Sequence, residues 1–272
     1  MKPGRGQRLL GFALPLALLA VWQILASTGV VQPMVLPSPV AVAQRWYASL
    51  LPAQPFDAAQ GSYLSWLFSG ELLHDAAASL WRVVLGFLAG AVPALPLGLL
   101  MGANRTLYAL FNPLIQILRP IPPIAFIPLA ILWVGLGNPP AVFLIALGAF
   151  FPILMNTIAG VRQVDAIYLR AAQNLGAREG TIFLRVMLPA AMPYILAGMR
   201  IGIGTAFIVV IVSEMIAVNN GLGYRILEAR EFMWSDKIIA GMITIGLLGL
   251  GIDWGMNALN KHLLRWHRGA ER

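Results

Sequence analysis

The sequence predicts an all-α, polytopic membrane protein with about six transmembrane helices. Of its 272 residues, 59% are hydrophobic and only 11% are charged, and the mean hydropathy is +0.77. A soluble domain carries roughly 25% charged residues to cover its surface. Because this chain has far less charge, lipid must solvate much of its surface, and we treat residues 1–272 as one transmembrane domain.

Six apolar runs account for the predicted spans, since a spanning helix needs about 20 predominantly apolar residues. They cover residues 9–27, 76–102, 113–137, 139–160, 191–218 and 238–259. The first run follows a basic tail, as the core of a cleaved signal peptide does. Its length, and the lack of a small-x-small cleavage site after it, favour a retained first helix.

The third run is the least regular, because it contains Pro120, Pro122, Pro123 and Pro128. Proline is tolerated within a span where neighbouring groups satisfy the carbonyls that it frees. We therefore expect this helix to be kinked and to lie inside the bundle, away from lipid.

The distribution of lysine and arginine predicts the orientation, because these residues concentrate in cytoplasmic segments. With the N-terminus inside, the inner segments hold Lys2, Arg5, Arg8, Arg105, Arg162, Arg170, Arg178, Arg185, Lys261, Arg265, Arg268 and Arg272. The outer segments hold only Arg45, Arg225, Arg230 and Lys237. Both termini are therefore predicted to be cytoplasmic. The net charge of +8 does not indicate nucleic-acid binding, because the basic residues form no dense patch with interleaved aromatics.

Two segments are predicted to lie on the outer side. Residues 28–75 are rich in proline and contain a predicted short helix at 38–51, with Ser38 as its N-cap and Pro39 at its first position. Residues 219–236 are charged and begin with the turn-forming sequence Asn-Asn-Gly-Leu-Gly.

Several catalytic signatures are missing from the sequence. It contains no Gly-Lys pair and hence no P-loop, no G-x-S-x-G and no H-E-x-x-H. It has no cysteine, and its three histidines lie outside the predicted spans. We therefore predict no catalytic residue, no metal site and no cofactor bound by this chain.

Five charged residues fall within the predicted spans: Arg82, Arg119, Arg200, Glu214 and Asp253. Ion-coupled carriers place such groups near the midplane as ion ligands, and Glu214 is the best candidate for that role. Since Glu214 is near the outer end, we expect it instead to reach water or to pair with an arginine of the adjacent outer segment. Arg82 and Arg200 are near enough to the surfaces to snorkel. Arginines that lined a pathway would favour an anionic substrate.

The fifth run has a face of small residues that includes Gly198, Gly202 and Thr205. Small residues in a span favour close helix packing, and we prefer this to pore lining, although both are compatible at a dimer interface. The candidate pathway residues are Arg119, Pro122, Pro123, Gly198, Gly202, Thr205 and Glu214.

Residues 161–189 predict a cytoplasmic elbow of two short helices. Apolar residues recur at helical spacing over 165–175, and Gly176 follows as a C-terminal glycine. A second helix is predicted over 179–187 and is expected to stop at Pro189. The alternative is a basic loop that lies on anionic lipid.

This elbow resembles the EAA motif of permease subunits of bacterial ABC importers. The pattern Ala-Ala-x3-Gly-x9-aliphatic-x-Leu-Pro is formed by Ala171, Ala172, Gly176, Val186, Leu188 and Pro189. One departure is that Arg170 replaces the leading Glu of the motif. Segments 35–39, 118–137 and 229–232 resemble the permeases for aliphatic sulfonates, taurine, and nitrate or bicarbonate.

The resemblance implies a type I (MetI-like) importer fold with six helices, in a bacterial cytoplasmic membrane. It also implies a homodimer, two cytoplasmic subunits that bind ATP and Mg, and a periplasmic or lipid-anchored substrate-binding protein. The residues implied to couple the permease to the ATPase are Arg170, Ala171, Ala172, Gly176, Ala177, Arg178, Leu188 and Pro189.

Two other functions remain compatible with the residues alone. One is a stand-alone secondary carrier driven by an ion gradient, and the other is a scaffold or receptor whose elbow binds a different cytoplasmic partner. For an importer, a small anion is the expected substrate: an aliphatic sulfonate or taurine first, and nitrate or bicarbonate next.

Overall fold

The computed structural model describes residues 5–52, 54–56, 62–63, 66 and 68–264, with side chains from residue 13 onward. This part of the chain is helical and contains no strand, so the predicted all-α class is confirmed. The helices are α1 (Arg5–Ser27), α2 (Pro39–Leu50), α3 (Glu71–Ala103), α4 (Arg105–Leu118), α5 (Ile127–Val134), α6 (Asn138–Arg162), α7 (Ala166–Asn174), α8 (Glu179–Ile182), α9 (Leu188–Ala217), α10 (Leu222–Glu231) and α11 (Ser235–Leu263).

Four helical stretches of the described chain are long and apolar enough to cross a membrane: α3, α6, Glu179–Ala217 and α11. A bent pair, Arg105–Leu118 with Pro123–Val134, makes a fifth candidate span. Helix α1 contains the predicted first run, and its described apolar part is Ala13–Ser27. The basic residues Lys2, Arg265, Arg268 and Arg272 of the orientation argument lie outside the described residues.

The core forms where α6 packs between α3 and α9. Leu144, Ile145, Ile153 and Leu154 of α6 are fully buried. Glycines bring the helices close together: a Cβ atom added at Gly86 of α3 would lie 2.5 Å from the side chain of Ile145. Because no side chain fits there, the two backbones can approach closely, and the three helices form one packed unit.

The predicted third span is broken, and the expectation of one kinked helix is wrong. Helix α4 ends at Leu118, a 3₁₀ helix covers Pro123–Phe126, and the two halves meet at an angle of 82°. The prolines at the break lack an N–H group and disfavour helical geometry in the preceding residue. The two halves also expose large apolar side chains such as Ile117 and Leu132. In the single chain, this segment is therefore not enclosed by the bundle.

The helices define two ends of the bundle. The first holds α2, α10 and the N-termini of α3 and α11, and we call it the ion-pair end. Here the Ser38 Oγ accepts a hydrogen bond from the N–H of Ala41 at 3.1 Å, which confirms the predicted cap of α2. The Trp46 Nε1 donates to the Thr244 Oγ1 at 2.9 Å and ties α2 to α11. The opposite end holds the predicted elbow, residues 161–189.

The glycine contacts between α3 and α6 make a stability prediction. Gly86→Ala places a methyl group against Ile145, and such overpacking costs about 1–3 kcal/mol. Gly246→Ala on α11 is the matched control, because a Cβ atom there has nothing within 4 Å. Thermal unfolding of the purified variants in detergent measures both effects. Equal stability of the two variants would contradict the close packing of α3 on α6.

Candidate functional site

The elbow begins with a capped helix and a sharp turn. The carboxylate of Asp165 accepts a hydrogen bond from the N–H of Ile167 at 2.9 Å and caps α7. At the other end of α7, Gly176 adopts φ +79°, a left-handed conformation that strains other residues, and its N–H donates to the Gln173 carbonyl at 2.9 Å. The helix–glycine–helix pattern predicted from the sequence is thus present.

The second half of the elbow does not stop at Pro189, which corrects the sequence prediction. Helix α8 passes through a π turn at Phe183–Met187 directly into α9, so that Glu179–Ala217 forms one helical stretch of 39 residues. The wider π turn supplies space before Pro189, where an ordinary turn would place a carbonyl against the proline ring. The second half of the elbow is therefore continuous with a core span.

The elbow presents an apolar and basic surface. Leu175 is 88% exposed, and Ile167, Tyr168 and Leu184 are also exposed. Arg170 and Arg178 are exposed and have no acidic partner among the described residues.

The structure separates the predicted coupling residues into two groups. Arg170, Ala171, Ala172, Gly176, Ala177 and Arg178 lie together on α7 and the turn that follows it. Leu188 and Pro189 instead lie at the base of α9, where Leu188 packs against the core residues Val161, Ala191 and Ile195. The second group therefore anchors the elbow rather than forming its exposed surface.

The ion-pair end contains a buried charge pair between α3 and α9. The Arg82 Nη1 lies 2.6 Å from the Glu214 Oε1, and the two side chains are 3% and 0% exposed. The other oxygen of Glu214 accepts hydrogen bonds from the Ser79 hydroxyl at 2.8 Å and the Gly223 N–H at 2.9 Å. The Arg82 guanidinium also donates to the Asn138 Oδ1 at 2.7 Å and to Asn220. Both charges are thus paired with each other and hydrogen-bonded to neighbouring polar groups.

A second group of charged residues lies nearer the N-terminus of α3 and holds α10 against that helix. Asp75 is buried, and it accepts hydrogen bonds from the Gly221 N–H at 2.9 Å and from the Arg225 Nε at 2.8 Å. Arg225 also pairs with Glu71 and Glu228. Partial burial alone would lower the pKa of Arg225, but the hydrogen bond and charge of Asp75 outweigh it and raise the pKa, so the guanidinium stays charged.

These contacts correct two expectations from the sequence. Arg82 does not snorkel to the surface, because it is buried against Glu214. Glu214 neither reaches water nor pairs with an arginine of residues 219–236, because Arg82, 132 positions away, is its partner. Helix α10, which follows the predicted turn, is not among the elements predicted from the sequence. One signal was available: Glu71, Asp75, Ser79 and Arg82 are spaced to lie on one face of α3.

A cavity of about 360 Å³ lies beside the broken span. It is lined by Arg119, Ile121, Pro123, Leu147, Gly148, Phe151, Pro152, Met155, Asn156, Ile201 and Thr205. Of the predicted pathway residues, Arg119, Pro123 and Thr205 therefore meet at one cavity. Pro122 lies at the break beside it.

The remaining pathway candidates lie elsewhere. Gly198 and Gly202 are buried in the contact with α6, where added Cβ atoms would lie 2.6 Å from Asn156 and 2.9 Å from Ile153. Their role is helix packing, which was the preferred interpretation. Glu214 belongs to the buried charge pair.

Comparison with known proteins identifies relatives over nearly the whole chain. Residues 94–265 match the family described as the binding-protein-dependent transport system inner membrane component. The taurine transport system permease protein TauC of Escherichia coli K12 is 34% identical, over 92% of this chain and 86% of its own length. A Bacillus subtilis 168 protein named as an aliphatic sulfonates transport permease is 36% identical, over 99% and 92%. The nitrate import permease protein NrtB of Synechocystis PCC 6803 is 36% identical, over 87% and 82%.

A solved structure shows the same fold. A chain of the inward-facing MetNI methionine ABC transporter superposes with a TM-score of 0.63, at 20% identity. The superposition covers 71% of this chain and 96% of that chain. The predicted type I permease fold is confirmed.

The buried pair makes a second stability prediction. Glu214→Gln keeps the size of the side chain but leaves the Arg82 charge buried without a counter-charge, which costs about 3–5 kcal/mol. The exposed pair Arg45–Asp236, 2.9 Å apart, is the control: Arg45→Gln should cost less than about 1 kcal/mol. Thermal unfolding in detergent distinguishes the two. A Glu214→Gln variant as stable as Arg45→Gln would show that the pair does not hold α3 and α9 together.

Proposed function

Because the chain belongs to the family of binding-protein-dependent transport system inner membrane components, we propose that it forms the translocation pathway of an ATP-driven importer for a small anion. The observation that supports coupling to ATP is the elbow: its exposed surface on α7 and the turn after it is followed by Glu179–Ala217, a helical stretch that continues into the core. Such an element transmits movement of a partner into the membrane domain.

The coupling depends on the helical connection between the elbow and α9. ATP binding closes the partner ATPases, and their closure moves the surface that carries Arg170 and Arg178. Since α8, the π turn and α9 are one helical stretch, this movement reaches the core spans instead of being absorbed by a hinge. The pathway then opens alternately to the two sides of the membrane. This chain hydrolyses no ATP itself, because ATP and Mg are bound by the partner.

The assembly implied by this mechanism has several parts. A second copy of the chain completes the pathway, two cytoplasmic ATP-binding subunits contact the two elbows, and a substrate-binding protein delivers the solute at the opposite face. In this proposal, the elbow and both termini face the cytoplasm at a bacterial inner membrane. The excess of lysine and arginine in the corresponding segments supports this orientation.

The substrate is proposed to be an aliphatic sulfonate or taurine, with nitrate or bicarbonate as the next choices. The names of the relatives support this range of anions. A stand-alone, ion-coupled carrier has less support, because its best ion ligand, Glu214, is buried and neutralised by Arg82.

Purification of the tagged chain from its own membranes tests the assembly. We expect an ATPase with a P-loop to accompany the chain in mild detergent at a one-to-one ratio, as identified by mass spectrometry. Purification of the chain alone, together with transport driven by an ion gradient, would contradict the importer and favour the secondary carrier.

The turn at Gly176 makes a prediction about coupling. Gly176→Pro is incompatible with φ +79° and removes the N–H that donates to Gln173. We expect this variant to insert in the membrane but to lose solute uptake and ATPase binding. Gly180→Ala on the same elbow is the control, because a Cβ atom there has nothing within 4 Å. Uptake by Gly176→Pro equal to that of Gly180→Ala would refute docking through the elbow.

A further inference from the structure

We infer that the cavity beside the broken span is a substrate subsite within the membrane domain, and that it binds an organic anion with Arg119 as its counter-charge. This inference rests on the proposed function and deepens it. It assigns part of the selectivity to the permease itself, in addition to the substrate-binding protein.

Arg119 is left without a counter-charge in the described part of the chain. Three arginines lie in the predicted spans, and two are neutralised: Arg82 by Glu214 and Arg200 by Asp253, at 2.6 and 2.7 Å. Arg119 has no acidic partner among the described residues, and no described residue that lines the cavity is acidic. An isolated cation in a membrane domain is costly and marks an ion or substrate pathway. The cavity therefore has an uncompensated positive charge.

Only a few polar groups of the described residues lie in the cavity wall with that charge. The Asn156 amide uses one N–H to donate to the Pro152 carbonyl at 2.8 Å, which leaves its second N–H available. The Thr205 hydroxyl donates to the Ile201 carbonyl at 3.0 Å. The donors left for a ligand are thus the Arg119 guanidinium and one amide N–H. These groups suit a sulfonate or carboxylate head, whose oxygens accept hydrogen bonds.

The rest of the cavity wall is apolar. Its other residues are Ile121, Pro123, Leu147, Gly148, Phe151, Pro152, Met155 and Ile201. A small inorganic anion is hydrated on every side and loses that hydration against such a wall without replacement. An organic anion places only its head near Arg119 and its carbon skeleton against the apolar residues. The cavity therefore favours an alkyl sulfonate over nitrate.

The backbone explains why there is space for a ligand. The chain leaves α4 at Leu118 and turns by 82° before Pro123, so the helix does not fill the volume beside α6. Gly148 of α6 lines the same cavity, and as a glycine it places no side chain in it. Broken spans line the substrate sites of many transporters.

Thiol labelling tests the charge at this cavity directly. The full chain contains no cysteine, so Thr205→Cys creates a single reactive thiol. The probes are two methanethiosulfonates of similar size: one carries an ethylsulfonate group and the other an ethyltrimethylammonium group. Each forms a mixed disulfide as the thiolate displaces methanesulfinate. Because both probes react with the same thiolate, the ratio of their labelling rates does not depend on the fraction of the cysteine that is ionised.

We expect the ratio of anionic to cationic labelling at Thr205→Cys to fall about tenfold when Arg119→Gln is added, since one nearby charge is removed. Arg119→Lys should preserve the ratio. Thr181→Cys on the exposed elbow is the matched control, and its ratio should not respond to Arg119→Gln. Butane-1-sulfonate should slow the labelling of Thr205→Cys, while nitrate at the same concentration should not.

Three results would overturn the inference. A ratio unaffected by Arg119→Gln would remove Arg119 from the subsite. No labelling of Thr205→Cys by either probe would mean that the cavity is closed to water or filled by lipid. Equal protection by nitrate and butane-1-sulfonate would refute the preference for an organic anion. Since labelling requires no ATP-binding subunit, each result is independent of whether the chain assembles with an ATPase.

Discussion

The buried pair between Arg82 and Glu214 is the constraint on which the arrangement of the ion-pair end depends. Two charges removed from water within a span are stable only when their hydrogen-bonding capacity is also satisfied. Arg82 and Glu214 form hydrogen bonds with groups of α3, the start of α6, the turn before α10 and the first turn of α10. Gly221 is required in that turn, because its backbone passes so close to the Glu214 carboxylate that a Cβ atom would lie 2.5 Å away. The pair therefore fixes three spans and one connection at once.

Because the ion-pair end is held together in this way, movement can enter the core through the elbow at the opposite end. Ion pairs at one end and glycine contacts between α3, α6 and α9 hold the core as a unit. The elbow extends from the opposite end of α9, and its π turn keeps the helix continuous past Pro189. The broken span is different, because it packs on α6 through short helices and exposes much of its apolar surface. In the proposed mechanism, the core moves as one body with the elbow, and the broken span borders the space that changes.

The sequence predicts the features that depend on local or periodic signals. The apolar runs, the Ser38 cap and the helix–glycine–helix elbow all belong to this class. Partners that are distant in sequence cannot be predicted in this way. The spacing of the polar residues on α3 shows that they share a face, but no local signal pairs Arg82 with a carboxylate 132 positions away. The effect of a proline on a helix depends on the surrounding turn, so the sequence overstates it at Pro189 and understates it after Leu118. Pro189 was expected to end a helix that continues, and the prolines after Leu118 were expected to kink a helix that they break.

The three arginines of the spans show most clearly what sequence alone leaves open. All three lie within apolar runs of the sequence and carry the same charge, so a hydropathy profile does not distinguish them. The tertiary structure brings a carboxylate next to Arg82 and another next to Arg200, so each of these two arginines forms an ion pair within the protein. Arg119 lies at the break in a span, where no acidic side chain among the described residues reaches it. Within the described part of the chain, its charge is left for water or a ligand to balance. For this reason a broken helix, an unpaired cation and a largely apolar cavity together favour transport of an organic anion more than any one of them does.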